Sequence, residues 1–264
     1  MGQLTQDLES ALRGFRRTPA FFVTAVIILG LGIGMSVAMF TVFRAVLVRR
    51  LPVVDQDRIV AMWTYRVPGV EYAAGTKELS TFRRETRMLR DVAGVAHWPA
   101  TAVPMLYGDR SLPLNRSLVT GNFFDVLGVR PALGRLLRPS DDAIGQRDVV
   151  GSGVIVLSYS AWQSKFGGDS SVVGRHLIEP FTRGEFTIVG VAPPGLDYPA
   201  GAEYWAPIWG GWSGGVSTLA VGRLAPRATL ETARDEYLQI ANQLNPELRY
   251  RGVNAKTFTE TVLG

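Results

Sequence analysis

From Thr18 to Phe43 the chain runs 26 residues without a charge. At about 1.5 Å of rise per residue, such a helix outruns the roughly 30 Å of a bilayer's hydrocarbon core. The pattern therefore predicts a transmembrane helix over 18–48, opened by a capping Thr18 and by Pro19 in the first turn, where its missing N–H costs nothing. A cleaved signal peptide would carry an apolar core of only about 7–15 residues. Ser36-Val37-Ala38 has the small-x-small look of a cleavage site, but apolar sequence continues well past it, so an uncleaved anchor is expected. Within the span, Gly30 and Gly34 form a G-x-x-x-G pair that lets a second helix pack closely. Ahead of it, Leu4, Leu8, Ala11, Leu12 and Phe15 fall on one helical face, which predicts an amphipathic surface helix over 1–17.

Charge follows the same division. The net charge is +5, with 28 basic and 23 acidic residues. Arg13, Arg16, Arg17, Arg44, Arg49 and Arg50 flank the apolar run, and the first fifty residues hold only Asp7 and Glu9 in return. Residues 51–264 are left nearly neutral, so the basic character belongs beside lipid headgroups rather than on a nucleic-acid surface. Three arginines lie on each side of the span, and positive-inside counting does not decide its orientation. The chain has no cysteine, which removes disulfides and thiolate metal sites.

The remainder reads as an α+β domain. A strand over Arg58–Tyr65 precedes a helix opening near Ser80 with apolar Phe82, Met88, Leu89 and Val92, then a strand from Val95. A second set repeats it: a strand at Thr218–Leu224, a helix from Leu230 to Leu244 and a strand at Val253–Phe258. The two β-α-β halves, 49–108 and 211–260, can pair into one split ferredoxin-like sheet. Between them, 109–210 reads as an inserted, β-rich subdomain with short helices. One is capped by Asn122 and closed by Gly128, another runs from Ser160 to Phe166, and a strand at Phe186–Ala192 stops at Pro193-Pro194-Gly195.

Signals for chemistry are weak. There is no phosphate-binding G-x-x-x-x-G-K-[ST]; the stretch from Gly168 to Gly174-Arg175 has the wrong spacing and an arginine in place of lysine. His97 and His176 lie far apart, Ser152 lacks the frame of a nucleophile elbow, and Asp141-Asp142 fits a turn or helix start. No catalytic, cofactor or metal residue is assigned, and enzymatic activity is not expected. Trp205, Trp209 and Trp212 fit equally well as a partner surface or as anchors of the subdomain core.

Several stretches, in order, resemble one family. Leu12-Arg13-Gly14-Phe15-Arg16-Arg17-Thr18-Pro19, Leu31-Gly32-Ile33-Gly34 and Arg50-Leu51-Pro52 resemble the start of MacB/FtsX-like ABC permeases, closest to the acidobacterial-type duplicated group. Gly121-Asn122-Phe123-Phe124-Asp125-Val126-Leu127-Gly128-Val129, Gly134-Arg135, Val189-Gly190-Val191-Ala192-Pro193-Pro194-Gly195, Trp205-Ala206-Pro207 and Val221-Gly222-Arg223-Leu224 extend the likeness through the chain. The resemblance implies a first transmembrane helix with its N-terminus in the cytoplasm of a bacterium. A porter-type split subdomain with a β-rich insert would follow, lying outside the inner membrane. It also implies a homodimer served by a separate ATP-binding ABC subunit, and leaves room for a periplasmic adaptor. The family continues into further spans, so the expectation is a fragment or a truncated product ending at Gly264. A membrane-anchored scaffold or sensor without transport is the alternative, and the transported substrate is not legible.

Overall fold

The computed structural model describes residues 19–47, 51–67, 70–72, 76–142, 152–181, 183–208 and 218–263, which fall into two compact units divided after Arg49. The first is a single helix, α1, Pro19–Leu47. Its 29 residues make a rod of about 43 Å. Its described apolar side chains are all exposed, Leu29 at 67% and Met39 at 77%. Thr24, Ser36 and Thr41 each donate their hydroxyl to the carbonyl four residues back, at 2.8, 2.9 and 2.7 Å, which satisfies the helix's polar side chains from within. On the described residues, no helix is long and apolar enough to cross a membrane. The surface helix expected over 1–17 lies outside the described residues.

Among the described residues the second unit is a mixed α/β domain on one eleven-stranded sheet, in which β2 pairs with β1 and β7 with β3 and β8 beside the main path. In chain order it holds β1 (Ile59–Val67), β2 (Val70–Tyr72), α2 (Thr76–Glu85), β3 (Leu89–Tyr107), β4 (Arg110–Val119), α3 (Phe123–Leu127), β5 (Leu133–Gly134), β6 (Ser152–Leu157) and α4 (Tyr159–Phe166). There follow β7 (His176–Glu179), β8 (Gly184–Val191), β9 (Tyr204–Pro207), β10 (Leu219–Leu224), α5 (Leu230–Leu244), β11 (Gly252–Thr257) and α6 (Phe258–Leu263). The sheet order is β11-β1-β10-β3-β4-β9-β6-β8-β5.

The first four strands of that order form an antiparallel array, with Ile59 opposite Arg223, Val60 opposite Thr257 and Val221 opposite Ala93. Two β-α-β units, β1-α2-β3 and β10-α5-β11, interleave to give it, the connectivity of a ferredoxin-like sheet cut open between its halves. Both faces of this array are covered. Ile59-Val60-Ala61-Met62 are all fully buried, as a strand between two layers requires. Val60 and Met62 face α2 and α5 with Phe82, Tyr237 and Ile240. Ile59 and Ala61 face Phe123, Phe124, Trp205 and Phe258. Phe82 meets Tyr237 edge to face at 4.4 Å between ring centroids, which ties the two helices together.

β3 carries the sheet from one half into the other. Its first part pairs with β10 and its second with β4, with a register shift between His97 and Ala102. Beyond it, β4, β6, β8 and β9 enclose a second core of Met105, Leu114, Ile155, Leu157, Ile188 and Tyr204, closed by Phe166 of α4. One sheet thus runs through both regions, and the first core joins them, with Phe123, Phe124 and Trp205 packed with Ile59 and Ala61. α4 is capped by Ser158, whose Oγ accepts from the Ala161 N–H, and ended by Gly167 at φ 66°.

Two local expectations need correction. α2 opens at Thr76, ahead of Ser80, and ends at Glu85, so Leu89 and Val92 belong to β3. The boundary is set from another element: Glu236 of α5 accepts from Thr86 Oγ1 and from the Arg87 and Met88 amides at 2.6, 2.9 and 3.0 Å, which turns the chain out of the helix. Asn122 precedes α3 but makes no side-chain cap. Its buried amide braces β3 instead, donating to Val92 O and Asp91 Oδ2, both at 2.9 Å, while its Oδ1 accepts from Thr120 Oγ1 at 2.7 Å.

Candidate functional site

The residues singled out in the sequence do not converge. Trp205 is fully buried on β9 between Phe124 and the backbone of Tyr198, to which its Nε1 donates at 3.2 Å. It is a core anchor and cannot contribute to a partner surface; Trp209 and Trp212 lie outside the described residues. Gly30 and Gly34 sit on the exposed surface of α1, with no atom within 4 Å of where a Cβ would stand.

The residues weighed for chemistry have structural work. Asp141 pairs with Arg135 at 2.6 Å and accepts from the Arg138 amide at 2.9 Å, while Asp142 accepts from the Gly121 amide at 3.3 Å. His176 is exposed and lies 3.1 Å from Glu185 and 3.2 Å from Thr187 Oγ1. Ser152 opens β6, and His97 lies on β3 at its register shift. The glycines of 167–174 are turn positions at positive φ around a short helical turn capped by Asp169, not a phosphate loop. Among the described residues no group of three or more histidines and carboxylates could hold a metal.

The motif glycines also mark close approaches. A Cβ on Gly121 would stand 2.2 Å from Arg138 O, and one on Gly190 2.1 Å from Arg135 O. The Gly121-Asn122-Phe123-Phe124 stretch thus fixes α3 against β3 and the 133–139 segment.

A feature that motif reading missed is a cleft where β1, β10 and β3 of the split sheet line up their ends. Arg58 precedes β1, Arg223 lies on β10 and Arg90-Asp91 on β3, in register through Ile59, Arg223 and Asp91. With Arg83 of α2 and the 54–55 segment they line a cavity of about 860 Å³, a volume typical of ligand sites. Arg58 donates to Leu224 O at 3.3 Å and to Ala225 O. Arg223 donates to Val126 O at 2.9 Å and to Val54 O at 2.8 Å, and its Nη2 is buried without a partner. Burial lowers the Arg223 pKa; nearby Arg90 and Arg58 push the same way, and only Asp55 opposes them strongly. Asp91 is already engaged by Arg83 at 2.8 Å and by Asn122. The signal lay in the arginines at strand ends, but their convergence depends on pairing between segments some 130 residues apart, which no local pattern announces.

Comparison with solved structures gives the class first. The periplasmic region of MacB from Actinobacillus actinomycetemcomitans aligns with a TM-score of 0.56 at 14% identity, covering 78% of this chain and 90% of that one. A domain of a putative permease protein from Porphyromonas gingivalis aligns with a TM-score of 0.56 at 18% identity, over 80% and 99%. The extracellular domain of the noncanonic ABC-type transporter YknZ from Gram-positive bacteria gives 0.55 at 12%, over 75% and 99%. The fold is therefore that of the extracytoplasmic regions of ABC-type permeases. No curated protein matches. Residues 22–240 match the MacB-like periplasmic core domain, and the chain belongs to that family.

Proposed function

We propose that the chain is the first transmembrane helix and periplasmic core domain of a MacB/FtsX-like ABC permease, passing ATP-driven movement from a separate cytoplasmic subunit to the outside of the inner membrane. The observation that carries this reading is continuity. The family match begins at residue 22, inside the apolar helix α1, and runs on through the domain. Four residues after α1 ends at Leu47, Leu51 is already buried in the domain core, its amide held by Gln56 Oε1 at 3.1 Å. Exposed apolar side chains and hydroxyls bonded within the helix suit a lipid surround, where unsatisfied polar groups are costly. The open surface at Gly30 and Gly34 suits a second helix, from another span or a second copy in a homodimer.

The far end of the domain supports the same reading. α6 packs beside the 56–58 turn, with Thr259 Oγ1 donating to Asp57 Oδ1 at 2.5 Å, so the segment after β11 is tied to the turn that leads into β1. A push delivered there would be borne by β1, which is paired on both sides, by β11 and β10. The test is insertion of six Gly-Ser residues between Arg50 and Leu51 in the permease that carries this chain. Transport falls to background while the protein still reaches the membrane; transport at the parental rate would refute the lever.

A further inference from the structure

We infer that the arginine-lined cleft is a binding site for a phosphate-type oxyanion. Its arginines are placed by groups that leave their charge intact. Arg58 is held by Leu224 O and Ala225 O, and Arg223 by Val126 O and Val54 O; a carbonyl orients a guanidinium without neutralising it. Arg90 is exposed at the rim and has no hydrogen bond or ion pair among the described residues. Three guanidinium groups thus line one cavity with no carboxylate bonded to any of them, Asp55 acting on Arg223 only through space. The carboxylates in the lining are Asp91, engaged by Arg83 and Asn122, and Asp55 and Asp125, which form no ion pair among the described residues.

Arg223 has a requirement of its own. Arg223 Nη2 is a buried donor with no acceptor, a condition costing about 1–3 kcal/mol in general. Gly128, at φ 68°, lets Val54 and Arg223 pack closely against it: a Cβ there would stand 3.1 Å from Val54 Cβ and 3.2 Å from Nη2. Arginine's fork of donors suits phosphate oxygens, and three around one cavity can surround a tetrahedral oxyanion in a way one point charge cannot.

The position of the cleft suggests the source. Val54 and Asp55 line it only seven and eight residues after α1 ends, at most about 25–28 Å of chain. That length of chain allows an anionic phospholipid headgroup as the source; this part of the inference rests on the membrane reading above, whereas binding of the oxyanion does not.

The test uses the full chain in neutral detergent, titrated calorimetrically with inorganic phosphate and, separately, with short-chain phosphatidylglycerol or phosphatidylcholine. Phosphate or phosphatidylglycerol binds saturably and more weakly as salt is raised. Arg90→Gln, which breaks no bond in the fold, weakens binding about tenfold, Arg90→Lys restores most of it, and Asp125→Asn strengthens it. Phosphatidylglycerol binding that exceeds both phosphate and phosphatidylcholine identifies a headgroup as the source. Phosphate binding that depends on Arg90, without preference between the two lipids, keeps the site and overturns the headgroup source. The inference is overturned if neither anion binds saturably, or if Arg90→Gln binds like the parent while circular dichroism shows it folded.

Discussion

The strongest single test of how this domain is assembled is Asn122→Ala. Asn122 is 1% exposed and makes three side-chain hydrogen bonds, to Val92 O, Asp91 Oδ2 and Thr120 Oγ1. The Thr120 hydroxyl oxygen in turn accepts from the Gly94 amide at 3.0 Å, so the amide ends a short chain of bonds running along β3. Truncation leaves Val92 O without its side-chain donor and Thr120 Oγ1 without its acceptor in an apolar surround. Asp91 retains Arg83 and its own neighbouring amide. Two orphaned groups at about 1–3 kcal/mol each, softened by relaxation, give an expected loss of about 3 kcal/mol. With a urea slope of about 2 kcal/mol per molar, the unfolding midpoint followed by tryptophan fluorescence falls by about 1.5 M. Asp125→Asn, at an exposed position of the same helix, is the control and shifts it by less than about 0.3 M. If Asn122 were only a helix cap with solvent in reach, the loss would be about 1 kcal/mol or less, and a midpoint shift near 0.5 M would refute the brace.

Glu236→Ala removes the acceptor for Thr86 Oγ1 and two successive amides, and is expected to cost about 2–3 kcal/mol. Hydrogen exchange at the Arg87 and Met88 amides reads it directly: exchange there rises well above that in β3, and a uniform rise would argue for global destabilisation instead. Burial raises the pKa of Tyr198, Tyr237 and Tyr204 above the ordinary phenol value of 10.0. The folded chain therefore keeps protons that the unfolded chain releases near that pH. Stability from these groups is full below pH 10 and declines as the pH climbs toward the folded values. Phenolate absorbance measured against pH shows these tyrosines ionising only as the fold is lost, and reversible ionisation in the native state near pH 10 would contradict their burial.

How much of this was legible follows from which interactions are local. α5 could be read from Leu230 to Leu244 because Ala233, Tyr237 and Ile240 make one face and Thr229 with Thr232 forms the capping box at its start. Ile59-Val60-Ala61-Met62 announces a strand covered on both sides, and Gly167 a helix end. α2 could not be bounded, because its exit is held by a carboxylate 150 residues away in sequence. Trp205 reads the same from sequence whether it anchors a core or meets a partner; only the packing of Phe124 and the Tyr198 carbonyl against it decides.

The arginine cleft shows the same limit in functional terms. Arg58 and Arg90 are unremarkable in sequence, at the polar ends of strands where solvated charge is ordinary, and Arg223 stands out only as part of Val221-Gly222-Arg223-Leu224. What makes them a site is the antiparallel register that sets Ile59 opposite Arg223 and Arg223 opposite Asp91. That register is imposed by the apolar alternation on both faces of β1 and β10, since a slip of one residue would turn Val60 and Met62 away from α2 and α5. The hydrophobic pattern therefore places the charges, and a substitution that alters the pairing of β10 should disturb anion binding as surely as loss of Arg90 itself.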